Sequence, residues 1–169
     1  PIEALVQEVE KALEAKLYYL ALLLTLTLPD ICAALEAKGG RSQERARDAY
    51  KNWYKANIFD IIGTLTPDEA WEFRCTVAHQ SRADASDKRG YDRIIFTIPS
   101  ENRWAVDSML LNGAMTFYIP NFCARWLGQV RVWIAKSEGN ATVQENLPNL
   151  LQVRPVGMSP YIVGMPIIA

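Results

Sequence analysis

The chain has 169 residues, of which half are hydrophobic and five are tryptophan. This length and composition exclude a disordered chain and favour one globular domain with a sizeable core. The net charge is −1, which excludes the strongly basic class of proteins that coat nucleic acid, so any contact with RNA must be local.

The first 37 residues are predicted to form a helix in two pieces. Apolar side chains recur at helical spacing in the first piece: Ile2, Leu5, Val9 and Leu13. Residues 17–29 carry no charge, but this run is shorter than the roughly 20 residues that cross a bilayer. We therefore interpret it as a core helix or a dimer interface rather than as a membrane span.

A proline and an aspartate follow one another at the end of this run. Pro29 has no N–H to donate to the preceding turn, so we predict a kink or break there. Asp30 would then lie in apolar surroundings, where a carboxylate needs a cationic partner, and Arg74 is the partner we predict. The alternative is that Asp30 only caps a helix that continues through Ala37.

Residues 43–61 are predicted to form the next helix, with Ser42 as its N-cap. The apolar stripe of this helix consists of Ala46, Tyr50, Trp53, Tyr54 and Ile58. Basic side chains occupy its other faces. We interpret them as a solvated surface, with contact to phosphate as the less favoured alternative.

The segment from Thr66 to Gln80 carries the strongest local signals for a helix. Thr66 is a predicted N-cap, Pro67 suits the first helical position, and Glu69 completes the pattern of a capping box. Phe73 and Val77 lie four residues apart and are predicted to face the core.

This segment also holds the only histidine of the chain, His79, five residues after Arg74. Five residues correspond to about 140° of rotation and about 7.5 Å of rise on a regular helix, so the two side chains do not stack on one face. A guanidinium offers donors suited to phosphate, and an imidazole exchanges a proton near neutral pH. Together they could cleave a phosphodiester. Alternatively, the histidine caps the helix and the arginine pairs with a carboxylate.

The order of these residues resembles the HEPN superfamily (higher eukaryotes and prokaryotes nucleotide-binding). Arg74-Cys-Thr-Val-Ala-His79 is similar to its R-x(4–6)-H motif. The order of three segments resembles a bacterial group within that superfamily: residues 28–36, LPDICAALE, then Phe73-Arg74-Cys75, then His79-Gln80. The resemblance covers about residues 17–137. Cys75 departs from the pattern, because active members often carry Asn, Asp or His after the arginine.

The resemblance implies a mainly α-helical, HEPN-like bundle that forms a homodimer in which two motifs face one cleft. Many members are metal-independent endoribonucleases, which would make His79 an acid or base and Arg74 a stabiliser of phosphate charge. Asp30, Cys75 and Gln80 are candidate supporting residues. Other members are inactive, so the alternative is a nucleotide-binding or protein-interaction module, which the near-zero charge and Cys75 favour.

Residues 81–90 form a predicted polar loop directly after His79. Arg82, Lys88 and Arg89 lie in it and Arg93 follows it, which makes these four the candidate RNA-binding residues. Asp84, Asp87 and the nearby Asp92 offset part of the charge. The alternative is therefore an exposed loop of mixed charges without a ligand.

Small β elements and two helices are predicted for the rest of the first 150 residues. Residues 91–99 have the composition of a strand that a proline closes. Residues 106–111 are predicted to be a short strand or an irregular segment, before a turn at Asn112-Gly113. Residues 120–136 are predicted to be helical, and residues 141–151 to form a short last helix.

Residues 151–169 differ in character from the helical domain of residues 1–150. They are apolar and interrupted by glycine and proline, so we predict an extended tail. We expect it to pack on the domain, by pairing with the strand at residues 94–96, or on a partner subunit.

The three cysteines, Cys32, Cys75 and Cys123, are far apart in sequence and form no C-x-x-C pair. With a single histidine, the sequence predicts no metal site and no cofactor. We interpret the cysteines as buried free thiols, which suit a reducing cytoplasm.

Overall fold

Helices carry most of the fold. The computed structural model of the chain describes residues 1–41, 44–63, 65–80, 91–101 and 106–169, and for residues 79 and 80 the backbone only. The helices are α1 Ile2–Glu14, α2 Tyr18–Glu36, α3 Ala46–Tyr54, α4 Asp60–Ile62, α5 Pro67–Gln80, α6 Ile119–Ser137 and α7 Ala141–Asn146. The strands are β1 Arg93–Thr97, β2 Met109–Leu111, β3 Ala114–Tyr118, β4 Val153–Arg154, β5 Gly157–Met158, β6 Ile162–Val163 and β7 Ile167–Ile168. The predicted fold class, mainly α with small β elements near residues 91–98 and in the tail, is confirmed.

The first two helices are separate, but the break between them is not at the proline. Lys16 adopts a φ of 60° between α1 and α2, and α2 then continues through Pro29, so the predicted break there is wrong. Proline inside a helix costs about 3 kcal/mol. Leu26 and Cys32, on either side of it, are fully buried, and burial of such side chains offsets this cost.

Helix α2 lies at the centre of the bundle, where it contacts α1, α3, α5, α6 and α7. Among the described helices, α2 alone is long and apolar enough to suit a membrane span, a property that core helices of soluble proteins share. Its buried residues belong to the same core as Phe73 of α5 and Trp126 of α6. The helix therefore brings residues from most of the bundle to one place.

Helix α3 begins at Ala46, three residues later than predicted, and the predicted N-cap Ser42 lies outside the described residues. A π-helical turn at Lys55–Phe59 joins it to α4, and Gly63 caps the C-terminal end of α4 with a φ of 66°. Tyr50, Trp53, Tyr54 and Ile58 of the predicted stripe are buried, whereas Ala46 is exposed.

Helix α5 begins with the predicted capping box. The Glu69 N–H donates to Thr66 Oγ1 over 3.3 Å, and the Thr66 N–H donates to Glu69 Oε2 over 2.8 Å. The Tyr91 hydroxyl donates to the other oxygen of Glu69 over 2.9 Å, which ties the start of α5 to the segment before β1. Phe73 and Val77 are buried, as predicted.

The first three strands form one sheet in the order β1-β3-β2. β1 runs parallel to β3, and β2 runs antiparallel to β3. Asn112 and Gly113 connect β2 to β3 with φ angles of 48° and 79°, so the turn signal in the sequence makes a hairpin here.

Asp107 anchors the start of α6. This role of Asp107 was not predicted from the sequence. It accepts hydrogen bonds from the Tyr118 N–H over 3.0 Å and the Asn121 amide over 3.1 Å, and Arg125 Nη2 lies 2.6 Å from its Oδ2. Burial alone would raise the pKa of Asp107, but these donors together hold it below its ordinary value.

The tail folds back on itself to form one antiparallel hairpin of residues 152–169, which we call the C-terminal hairpin. β4 pairs with β7 near its base and β5 pairs with β6 near its tip. The expected pairing of the tail with residues 94–96 is wrong, because the strands of the tail pair with one another and the described sheet that contains β1 holds only β3 and β2 besides it.

Candidate active site

Two helices bring the candidate residues Asp30 and Arg74 together. Asp30 lies on α2 and Arg74 on α5, and Arg74 Nη2 is 2.7 Å from Asp30 Oδ2. The side chains are 23% and 21% exposed, so the pair is mostly removed from water. The predicted pairing of Asp30 with Arg74 is confirmed. It forms because a carboxylate on an apolar helix needs a counter-charge.

Two aromatic residues complete the surroundings of this ion pair. The Arg74 guanidinium lies 5.3 Å from the ring centre of Trp71, within the range of a cation–π contact. The Trp71 ring in turn meets Tyr50 edge to face at 5.4 Å. Neither aromatic residue was predicted as part of the site, although the i, i+3 spacing of Trp71 and Arg74 on one helix was a usable signal.

Polar atoms at this cluster lack hydrogen-bond partners among the described residues. They are the Tyr50 hydroxyl, Arg74 Nε and Asp30 Oδ2, and all three are buried. Asp30 Oδ2 has only its ion-pair contact with Arg74 Nη2 at 2.7 Å. Burial raises the pKa of Tyr50 well above its ordinary value, and Tyr54 and the Asp30 carboxylate raise it further. Tyr50 therefore stays protonated at neutral pH and is a hydrogen-bond donor, not a base.

Besides pairing with Arg74, Asp30 lines a surface pocket. Burial raises the pKa of Asp30 above its ordinary value, and the charge of Arg74 reverses only part of this shift. The pocket has a volume of about 290 Å³, and its walls include Ile31, Leu35, Asn146 and Leu150. These walls are mainly apolar, and Asp30 is the one charged residue among the described residues that line the pocket.

His79 and Gln80 lie in the last turn of α5, as the sequence predicted, while their side chains lie outside the described residues. The helix continues to Gln80, so position 79 is about 140° around the axis from position 74. Arg74 extends towards α2. The backbone thus places the two residues on different faces of one helix.

The remaining candidate residues are only partly described. Cys75 is a half-buried free thiol, whereas Cys32 and Cys123 are fully buried. Burial raises the pKa of Cys32 well above its ordinary value and that of Cys123 to about 11, which leaves both thiols unreactive at neutral pH. Cys75 therefore differs from the interpretation of all three as buried.

The predicted RNA-binding residues fall mostly beyond the described ranges. Arg82, Lys88 and Arg89 lie in residues 81–90, outside those ranges, and Arg93 is exposed at the start of β1. Within the described part of the chain, no group of three or more His, Cys, Asp or Glu side chains could hold a metal ion. Comparisons with protein-family models, with curated proteins and with solved structures found no match to this chain.

Proposed function

We propose that the protein is a metal-independent endoribonuclease in which Arg74 and His79 act on the phosphodiester. The observation that supports this is the Asp30–Arg74 ion pair, which holds a guanidinium in place on the helix that also carries the only histidine. Because Arg74 and His79 lie on different faces of that helix, the proposal has them act on one phosphate from different copies of the chain. In this proposal Asp30 is a positioning residue. Its carboxylate holds Arg74 without contacting the substrate.

The reaction needs no group beyond RNA and protein side chains. The 2′-oxygen of RNA forms a bond to phosphorus while the bond from phosphorus to the 5′-oxygen breaks. One proton leaves the 2′-hydroxyl and one is gained by the departing 5′-oxygen, so the products carry a 2′,3′-cyclic phosphate and a 5′-hydroxyl. Arg74 stabilises the charge on the phosphate oxygens, and His79 transfers a proton.

A symmetric homodimer fits this chemistry better than a single copy. One imidazole cannot remove a proton and donate another at the same moment, and each chain has one histidine. In a two-fold dimer, a second His79 could face the same cleft and share these two roles.

The test is cleavage of single-stranded RNA by purified protein in excess EDTA. We expect fragments with 2′,3′-cyclic phosphate ends, and no cleavage of DNA of the same sequence because it lacks the 2′-hydroxyl. Arg74→Ala and His79→Ala should abolish cleavage, whereas Arg47→Ala, which changes an exposed arginine on α3, should retain it. Equal activity in all of these proteins would assign the cleavage to a contaminant or another site.

One observation favours a second candidate, a non-catalytic nucleotide-binding or protein-interaction module. Asp30 already neutralises Arg74, and Trp71 covers part of its guanidinium. A purified protein that retains RNA on a filter, releases it when Arg74 is replaced, and leaves it intact would support this candidate over the nuclease.

A further inference from the structure

The surface pocket beside the Asp30–Arg74 pair is not used by the proposed reaction. We call it the Asp30 pocket. It has a volume of about 290 Å³ and lies between α2 and residues 146–150. Apolar side chains of both segments line it: Ile31, Ala34, Leu35 and Leu150. Mainly apolar pockets with a few polar groups are the usual sites for small molecules, and this volume, at the lower end of their range, suits a small ligand.

The first polar group of the Asp30 pocket is the carboxylate of Asp30. Arg74 Nη2 lies 2.7 Å from its Oδ2, while Oδ1 has no donor among the described residues. Burial raises the pKa of Asp30 although Arg74 lowers it, so this one ion pair does not fully compensate for the loss of water. An ionised carboxylate accepts hydrogen bonds at both oxygens. A donor that enters from the pocket would therefore stabilise the charge of Asp30.

The second polar group is the side-chain amide of Asn146, which is only 3% exposed. Its Nδ2 donates to the Leu35 carbonyl over 2.9 Å and to the Ala37 carbonyl over 2.8 Å, which uses both hydrogens of the nitrogen. The amide oxygen is then an acceptor, and within the described ranges no group donates to it. A Cβ at Gly40, which also lines the pocket, would lie 3.4 Å from this oxygen. The oxygen therefore lies on the pocket side of the amide.

The C-terminal end of α2 adds a third feature that favours positive charge. α2 ends at Glu36, so Ala34 and Leu35 lie in its last turn. The carbonyl groups of a last turn carry partial negative charge, which attracts cations. The pocket thus presents a carboxylate at position 30 and the negative end of the helix at position 35, about 7.5 Å further along α2.

We propose that the Asp30 pocket binds a short aliphatic diamine. One ammonium group donates to Asp30, the other donates to the Asn146 oxygen near the end of α2, and the methylene groups between them lie on Ala34 and Leu35. Diaminobutane has a suitable length, because the bonds between its nitrogens are each about 1.5 Å long and together span the rise between the two acceptors. Arg74 keeps its own contact with Oδ2, so the inference does not rest on the proposed activity.

The charges of the pocket disfavour other small molecules of similar size. An anion would be repelled by Asp30, and no described residue of the wall carries a positive charge. A neutral diol has a donor at each end, but its hydrogen bonds to a carboxylate lack the second charge that strengthens them. Butanediol and succinate are therefore the comparison ligands.

Isothermal titration calorimetry on the full chain at low salt tests this inference. The unmodified protein should bind one diaminobutane per chain, at least about 10-fold more tightly than butanediol, and should not bind succinate. Asp30→Asn removes the charge at one end of the pocket and should weaken diaminobutane binding at least about 10-fold. Circular dichroism checks that this variant is folded.

A second variant keeps the test valid if Asp30→Asn does not fold. Ala34→Phe places a ring in the pocket without changing a charge, and should also weaken diaminobutane binding at least about 10-fold. Ala46→Phe is the matched control, because it adds the same ring at an exposed position of α3, and its affinity should be unchanged. The inference is overturned if the unmodified protein does not bind diaminobutane or binds butanediol equally well. It is also overturned if a folded Asp30→Asn or Ala34→Phe variant keeps the full affinity, or if Ala46→Phe loses it.

Discussion

Two aspartates of this chain are held by arginines, and their surroundings shift their pKa values in opposite directions. For Asp30 burial outweighs the attraction of Arg74, and the pKa is raised. For Asp107 the donors outweigh burial, and the pKa is lowered. Two causes account for the difference: desolvation is the stronger at Asp30, and Asp107 also accepts from the Tyr118 N–H and the Asn121 amide.

The Asp30–Arg74 pair leads to a prediction about paired substitutions. Asp30→Asn leaves a mostly buried guanidinium without a counter-charge, so the free energy of unfolding should fall by about 1–3 kcal/mol. Adding Arg74→Met removes the unpaired charge and should restore part of the loss. Urea unfolding followed by tryptophan fluorescence measures Asp30→Asn, Arg74→Met and the double variant. A double variant whose loss equals the sum of the two single losses would contradict the pairing.

Asp107 leads to a prediction about pH. Its folded-state pKa lies below the ordinary value of 3.8, so its stabilising contribution is present above that value and is lost as the pH falls through the folded-state pKa. At pH 7, Asp107→Asn should lower the free energy of unfolding by about 1–3 kcal/mol, and the difference from the unmodified protein should shrink in acid. Glu8→Gln, at an exposed ion pair, should change stability by less than about 1 kcal/mol at either pH. A difference for Asp107→Asn that grows in acid would refute this account.

At the scale of single elements, the capping box of α5 can be tested directly. Thr66→Ala removes the hydroxyl that accepts from the Glu69 N–H, and this should lower the free energy of unfolding by about 1 kcal/mol. Thr76→Ala is the matched control, because that hydroxyl bonds a carbonyl within α5 and no helix end. Thermal unfolding compares the two, and equal losses would show that the cap contributes nothing of its own.

Helices whose limits are set by local chemistry were predictable from the sequence. Thr66, Pro67 and Glu69 carry the local pattern that starts a helix, and α5 begins there in the structure. The continuation of α2 through Pro29 was not predictable in this way, because the side chains of α2 are buried by contacts with other helices, and this burial stabilises the helix. Lys16, which makes the actual break, is not a residue type that usually adopts positive φ.

At the scale of the whole molecule, the sequence predicted the fold class and the contact between Asp30 and Arg74. It did not predict Asp107 as the anchor of α6, because the interacting groups are distant in the chain and carry no local pattern. The self-pairing of the tail was also missed, since its two strands are separated by glycines and prolines that indicated only extended structure.

In the proposed function, Arg74 and His79 act together to cleave RNA without a metal ion. Its most direct test is the single-turnover rate of RNA cleavage in excess EDTA, measured for the unmodified protein, Arg74→Ala, His79→Ala and Arg47→Ala. The account predicts a loss of about 100-fold or more in each of the first two variants and an unchanged rate in the third. An unmodified protein without activity, or one whose rate survives the His79→Ala change, would contradict it.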